Sequence, residues 1–445
     1  MDSAPPPRFA TYADILSMAW PVVLAGVSTP LLGLVDSAII GHTRSAAELS
    51  AIAVGSLFLC CIYWTFGFLR MSTTGFVAQA EGAGNAPEMR AASFQALLLG
   101  GGLGVLIMIL QLPIASLMLP LMGPQEDVLE LGLTYFGIRV WAAPATLVTY
   151  ALSGIFIGLG KTRALLVVQL LLNGLNISLD LILGRLLDMG VTGIAYGTLI
   201  AEWVAALAGV WLVFKILHER HRDSAAFLPW TLIKQADALH ATMTANGNIM
   251  VRSFCMLAGI AWFTRLGTQA GEIVLAANHI LLGISAFCAY FLDGIAFPAE
   301  TLTGVAKGRR DLASFDHAGH HTTVLSGILG AILALCFWIG GEQLISLITN
   351  IPEVIAAATA VLPFAVMYNI IAIPAFQLDG IFIGTSNTRE MRNSAIASVA
   401  VFAGLSILLT PRWESSGMWY AMLVWIIMRT LTLLYYYPKI RRELR

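Results

Sequence analysis

From Ile15 to Ile40 the chain has no lysine or arginine and a single acid, Asp36. Such a stretch is long and apolar enough to cross a bilayer as a helix, with one carboxylate buried inside it. A lone charge in hydrocarbon is costly and is usually kept for function. Similar runs recur: dividing the 445 residues at their polar and Gly/Pro-rich breaks yields twelve, near 15–41, 49–73, 91–118, 128–158, 164–184, 192–216, 243–264, 273–302, 320–341, 353–384, 393–410 and 417–437. The chain is 58% hydrophobic and only 11% charged, where soluble proteins have about a quarter of their residues charged. It reads as an all-α polytopic membrane protein of twelve transmembrane helices.

A net charge of −1 with basic residues scattered through short loops argues against a nucleic-acid partner and names the lipid bilayer instead. Cys60, Cys61, Cys255, Cys288 and Cys336 all fall in apolar runs. They are expected to be lipid-facing or packed thiols, with no disulfide framework and no CxxC metal site. The start, MDSAPPPRFATYAD, lacks a basic region followed by a cleavage site, so the first segment is expected to be a retained helix. Neither HExxH nor GxxxxGK[ST] occurs, which leaves metalloprotease and ATP-driven readings without support.

Of the 25 lysines and arginines, seventeen fall at the termini and in the loops joining even to odd segments, four in the opposite loops and four (Arg70, Arg139, Arg252 and Arg429) inside helices. The positive-inside rule then puts both termini in the cytoplasm, in a multi-pass protein of the plasma (inner) membrane. The internal arginines are expected mostly in buried ion pairs.

An internal repeat organises the chain: SGIFIGLGKTR at 153–163 returns as DGIFIGTSNTR at 379–389. At the same offset of 226, Leu49 and Ala51 meet Leu275 and Ala277, Ala80 and Gly82 meet Ala306 and Gly308, and Val128 meets Val354. Six helices are thereby repeated in parallel topology, with a substrate site expected between or within two lobes. The boundaries drawn are 1–218 for an N-terminal lobe, 219–241 for a cytoplasmic linker and 242–445 for a C-terminal lobe.

Candidate functional residues follow from polarity inside the spans. Pro21, Pro30 and Gly33 precede Asp36, and proline favours a kink in a helix. Asn173, Asn176 and Asp180 share one face of the fifth helix, at i, i+3 and i+7. Such a stripe must face protein or a water-filled cavity; a plain hydrogen-bonded helix contact is the alternative. Thr198 and Glu202 on the sixth helix could line the same space, though Glu202 could equally pair with an arginine and is set aside. In the second half Asp293 and Glu300 share a face of the eighth helix, and Asp379 lies on the tenth. They do not copy the first half: at the 226 offset Asp36 meets Trp262, so function is expected to be asymmetric. His317, His320 and His321 are expected in a solvated cytoplasmic loop and His279 as a core histidine. Trp64, Tyr63, Trp141, Tyr150 and Tyr290 are available to line a cavity for amphipathic cations.

Four stretches, LVDSAIIGH in the first helix, TTGFVAQAEGAGN after the second, GIFIGLGKTR after the fourth and LDGIAFPAE in the eighth, together resemble the multidrug and toxic compound extrusion (MATE) family, within it the DinF-like branch. The resemblance implies two six-helix lobes forming a V-shaped cavity, and export of small amphipathic or cationic organic compounds in exchange for protons or sodium ions. It assigns coupling to Asp36 with Asn176, Asp180 and Thr198, and helix bending to Pro21. Asn173, Asp293, Glu300 and Asp379 are left as a possible substrate cavity or secondary polar site. A NorM-like branch couples through C-terminal acids, including one on the seventh helix. That acid is missing here, although Asp379 resembles the branch's tenth-helix aspartate. No cofactor and no firm metal site is expected beyond the coupling ion, H+ or Na+ at the Asp36 set; a monomer is expected, and no enzyme activity.

Mechanistically, Asp36 near Asp180 is expected to take up a proton, because burial and a neighbouring like charge both oppose ionisation. Sodium suits the same hard oxygen ligands. A lipid or lipid-linked-precursor flippase is the alternative, expected to carry a more cationic cavity. An intramembrane hydrolase using the LDG sequences at 292–294 and 378–380 lacks the preceding glycine of GxGD and leaves the repeat unexplained.

Overall fold

The computed structural model describes residues 9–41, 46–118, 126–220 and 225–445, without the side chains of 29–46 and 117–127. Every regular element among them is helical. α1 (Tyr12–Gly41) is the first crossing. α2 (Ala46–Trp64) and α3 (Phe68–Gly82), joined by a 3-10 turn, make the second, and α4 (Ala86–Ile109) with α5 (Gln111–Met118) the third. α6 (Glu126–Arg139) and α7 (Ala143–Gly158) form the fourth, α8 (Thr162–Leu179) with a π-helical segment, Asp180–Leu186, the fifth, and α9 (Gly190–Glu219) the sixth. After the short α10 (Trp230–Ile233) come α11 (Ala236–Ala270), α12 (Glu272–Arg309), α13 (Leu312–Ile348) and α14 (Pro352–Gly384). α15 (Thr388–Glu443) holds the last two crossings, which part at Glu414, where φ is 48°. The twelve expected segments are therefore all helical.

The chain divides into two compact units, one of Leu24–Thr242 and one of Met1–Val23 with Met243–Arg445. The 226-residue repeat is visible inside each. Helix association in lipid relies on close packing at small residues, because apolar side chains gain nothing by leaving lipid for protein. A Cβ built on Gly154 would stand 2.5 Å from the Arg70 carbonyl oxygen, and one on Gly158 2.9 Å from that of Thr74, so glycine lets α7 touch the α3 backbone. At the repeat positions Gly380 faces the Ala296 carbonyl at 2.6 Å and Gly384 that of Glu300, laying α14 on α12 in the same way.

The connections repeat as well. Asn85 caps α4 by accepting from the Glu88 N–H at 3.2 Å, and Asp311 caps α13 by accepting from the Ser314 N–H at 3.1 Å. The Ser314 hydrogen bonds, side chain then backbone, hold the Asp311 carboxyl below the ordinary carboxylate range. Before each cap one residue is left-handed, Gly84 in the first half and Arg310 in the second; after the fourth and tenth crossings it is Gly160 and Ser386.

Two expectations change in detail. His317, His320 and His321 are on the first turns of α13 and not in a loop, because the Asp311 cap starts the helix earlier than hydropathy suggested. His317 stacks on His321 with ring centroids 3.8 Å apart, flanked by Phe9 at 4.7 Å and Tyr12 at 4.4 Å. Much of the segment taken as a linker folds onto α4: Gln95 Nε2 donates to the Ile233 carbonyl at 2.8 Å, and Phe227 packs on Phe94 and Phe214.

A left-handed backbone penalises side chains that carry a Cβ. Arg310→Gly and Ser386→Gly are each expected to raise stability by roughly 0.5–1 kcal/mol, and Gly84→Ala and Gly160→Ala to lower it. Thermal unfolding of the detergent-solubilised protein checks the opposite signs.

Candidate functional site

In the Leu24–Thr242 unit the polar stripe of α8 is buried and bonded to its neighbours. Asn173 Nδ2 donates to Ser28 Oγ on α1 at 2.8 Å, while Gln169 Nε2 donates to Asn173 Oδ1 at 3.1 Å. Asn176 and Asp180 are fully buried. Asn176 Nδ2 donates to Thr198 Oγ1 on α9 at 2.8 Å, and the Thr198 hydroxyl donates to the Ile194 carbonyl at 3.0 Å. Asn176 Oδ1, also buried, receives no hydrogen bond among the described residues. A buried amide oxygen left in this condition is a ready acceptor for a proton donor or a cation.

The backbone departs from α geometry at this point. The π segment begins at Asp180, and the Leu187 N–H donates to Ile182 O five residues back at 2.9 Å. π turns are uncommon and concentrate at functional sites. α9 fits against this turn through glycine: a Cβ at Gly193 would lie 2.6 Å from the Leu183 carbonyl, and one at Gly197 would overlap Asp180 Oδ1.

One turn along α9 from Thr198, Glu202 forms a buried pair with Arg139 of α6. Arg139 Nη2 meets Glu202 Oε1 at 3.0 Å, and the Thr146 hydroxyl donates to Glu202 Oε2 at 2.5 Å. Setting Glu202 aside as an arginine partner agrees with this geometry.

The other unit has its own charge cluster. Asp379 on α14 accepts through one oxygen, Oδ2, from both Arg252 of α11 and Arg429 of α15. Asp293 and Glu300 on α12 lie close enough to act electrostatically on Arg252. Arg139, Arg252 and Arg429 thus occupy ion pairs, as expected from the cost of an unanswered charge in hydrocarbon. Elsewhere in the core of this unit Asn278 Oδ1 accepts from Trp419 Nε1 at 2.9 Å, where Phe263 and Trp419 pack edge to face.

The structure therefore gathers Asn173, Asn176, Asp180 and Thr198 in one place, and Asp293, Glu300 and Asp379 in another. Pro21 is buried within α1. Asp36 stands on the α1 backbone, but its side chain lies outside the described residues. Sequence reasoning missed Ser28 and Gln169, common residue types with nothing to mark them. It also missed the Gly193-x3-Gly197 spacing, a legible signal of close helix contact.

Two segments of the chain, 21–182 and 247–411, match the MatE family model, and they begin 226 residues apart. The chain is 34% identical over 429 residues to the DNA damage-inducible protein F of Escherichia coli (strain K12), covering 96% of this chain and 92% of that protein. It is 27% identical to a probable multidrug resistance protein NorM of Shewanella oneidensis, over 80% of this chain and 77% of that one. A solved structure described as the outward-facing conformation of a multidrug resistance MATE family transporter superposes with a TM-score of 0.86 at 19% identity, covering 97% of this chain and 96% of that one. At that identity the likeness is one of fold.

Removing the shared acceptor of two buried arginines leaves charge unanswered, so Asp379→Asn is expected to cost about 3 kcal/mol of stability; a thermal midpoint in detergent equal to that of the unsubstituted protein would contradict it. Gly197→Ala forces a methyl group against the Asp180 carboxylate. It is expected to destabilise the protein more than Gly174→Ala, where a Cβ meets open space, read by the same melting assay.

Proposed function

The chain belongs to the MatE family, and from that premise we propose that it is a cation-coupled antiporter that exports small amphipathic or cationic organic compounds by alternating access. Coupling runs through Asp36 with Asn176, Asp180 and Thr198. The observation that carries the reading is the buried oxygen cluster of α8 and α9, with Asn176 Oδ1 open and a π turn beginning at Asp180.

Register supports the inclusion of Asp36. The Ser28–Asn173 hydrogen bond ties α1 to α8, and the first and fifth crossings of an alternating bundle run the same way. Asp36 stands eight residues beyond Ser28 and Asp180 seven beyond Asn173. At 1.5 Å per residue both positions lie roughly 10–12 Å past the bond, at one depth. Two carboxylates at one depth in a low-dielectric site oppose each other's ionisation, which makes proton uptake by Asp36 the coupling event. Sodium, held by the same carboxylate, amide and hydroxyl oxygens, is the alternative ion. Neutralising Asp36 changes which shape of α1 costs less, and Pro21, which cannot donate a backbone hydrogen bond, supplies a point at which the helix bends. In the second unit, two arginines already answer Asp379, which argues for coupling in the first unit alone. The reading places the protein in the plasma membrane of a bacterial cell with both termini inside.

Proteoliposomes loaded with an amphipathic organic cation such as ethidium and given separate proton and sodium gradients test the assignment. Asp36→Asn is expected to reduce gradient-driven efflux to the passive leak. Efflux at the unsubstituted rate would remove Asp36 from the coupling path, and the gradient that drives transport names the ion.

A further inference from the structure

At one end of the unit that holds Met243–Arg445, three segments are stitched together: the turn from α12 to α13, the turn from α14 to α15, and the last turns of α15. Lys307 is the centre of the stitch, its Nζ donating to the Thr385 carbonyl at 2.7 Å, to Asn387 Oδ1 at 3.0 Å and to Glu443 Oε2 at 2.9 Å. Lys439 closes on Glu390 at 2.6 Å and Arg441 on Asp316 at 2.7 Å, while Asp311 accepts from the backbone and hydroxyl of Ser314. The acids of the three segments are thus engaged. Arg309, Arg310, Arg389, Arg442 and Arg445 are left over, exposed and in no ion pair among the described residues. The general bias of basic residues to one side of a membrane does not account for this surplus, because the repeat supplies a comparison within the chain. At the 226 offset Arg309, Arg310, Arg442 and Arg445 meet Ala83, Gly84, Ile216 and Glu219, and Arg389 alone meets a cation, Arg163. Arg310 is also left-handed, with φ at 54°, where the first half has glycine. A side chain kept where the backbone disfavours a Cβ points to a use for that side chain.

We propose that these arginines form a docking surface for the headgroups of anionic phospholipid. A guanidinium matches a phosphate through two parallel N–H groups, and such charge-assisted bonds are stronger than neutral ones. The depth of the surface selects lipid over a soluble anion. Tyr435, Lys439 and Arg442 stand at i, i+4 and i+7, on one face of α15, and Tyr435 is 80% exposed. An exposed aromatic followed by cations is how a helix leaves the hydrocarbon through the headgroup layer. Basic clusters at that depth attract anionic lipid, whereas phosphatidylethanolamine carries its own ammonium group and cancels much of the attraction. The stitch holds the arginines on three segments at fixed spacing, so several phosphates can be met at once without reordering the backbone. Those segments close the eighth to twelfth crossings, and lipid bound there joins the ends of five helices of this unit.

The surface is independent of the exporter reading, and its test needs no transport. Native mass spectrometry of the purified full chain, titrated in detergent with dioleoyl phosphatidylglycerol and dioleoyl phosphatidylethanolamine, gives the ratio of the two association constants on one preparation. The ratio is expected to favour phosphatidylglycerol by tenfold or more. In the triple variant Arg309→Gln/Arg310→Gly/Arg389→Gln it is expected to fall by more than tenfold, at about fivefold for each arginine removed. All three positions are exposed, and Arg310→Gly relieves the left-handed backbone, so the variant is expected to fold. A control of equal charge in the other unit, Lys161→Gln/Arg163→Gln/Lys215→Gln, is expected to leave the ratio within about twofold of the unsubstituted value, since it spares the surface. An unsubstituted protein that holds phosphatidylglycerol no better than phosphatidylethanolamine overturns the proposal. So does a control that falls as far as the triple variant, which would make net charge alone responsible. Displacement of bound phosphatidylglycerol by millimolar inorganic phosphate would reassign the arginines to a soluble anion and overturn the lipid assignment.

Discussion

Helices in lipid are held by how closely their backbones approach, and here that approach is set by carbonyl oxygens resting on glycine. α7 lies on α3 at Gly154 and Gly158, and α14 lies on α12 at Gly380 and Gly384. Four missing Cβ atoms fix the two contacts, and the side chains that carry charge are positioned from them. Arg70 and Thr74 supply the carbonyls in one half, Ala296 and Glu300 in the other. Glu300 therefore has two separate duties: its backbone seats α14, and its side chain joins the acids that face Arg252.

On this repeated frame the two units carry opposite treatments of charge. In one, a carboxylate at the start of a π turn sits among amide and hydroxyl groups, with an amide oxygen left open. In the other, the tenth-crossing aspartate is shared by two guanidinium groups. A cation approaching Asp379 has two resident cations to displace, and one approaching Asn176 has none on that residue. The divergence follows from a few substitutions at equivalent positions: Asp36 against Trp262, and Ser153 against Asp379.

Much of this was legible in the chain. The helices are marked by apolar runs that nothing but a membrane or a large core accommodates, and the repeat by one offset that recurs in sequence and in the caps at Asn85 and Asp311. The α8 stripe was legible because three polar residues at helical spacing in an apolar segment must turn together toward protein or water, since hydrocarbon offers them no partner. The π turn was not, since its signal is a hydrogen-bond shift of one residue with no residue type of its own. Ser28 was not either: a serine in a membrane helix commonly bonds its own backbone, as Ser28 also does to the Ala25 carbonyl at 2.7 Å. The one-armed form of the Arg139–Glu202 pair is a matter of ångströms that residue identity does not encode. The histidines of α13 were misplaced because hydropathy marks where a helix becomes apolar, whereas the Asp311 cap marks where it begins.

The π turn at Asp180 has a consequence for how this helix varies through descent. A π turn accommodates one residue more than an α turn over nearly the same rise. Loss of a single residue between Asp180 and Leu186 would let the fifth crossing revert to regular α geometry while its two ends keep their places. Related chains can therefore differ by a one-residue gap here without any change in architecture, and the gap would mark lineages in which the carboxylate meets α9 at a different angle.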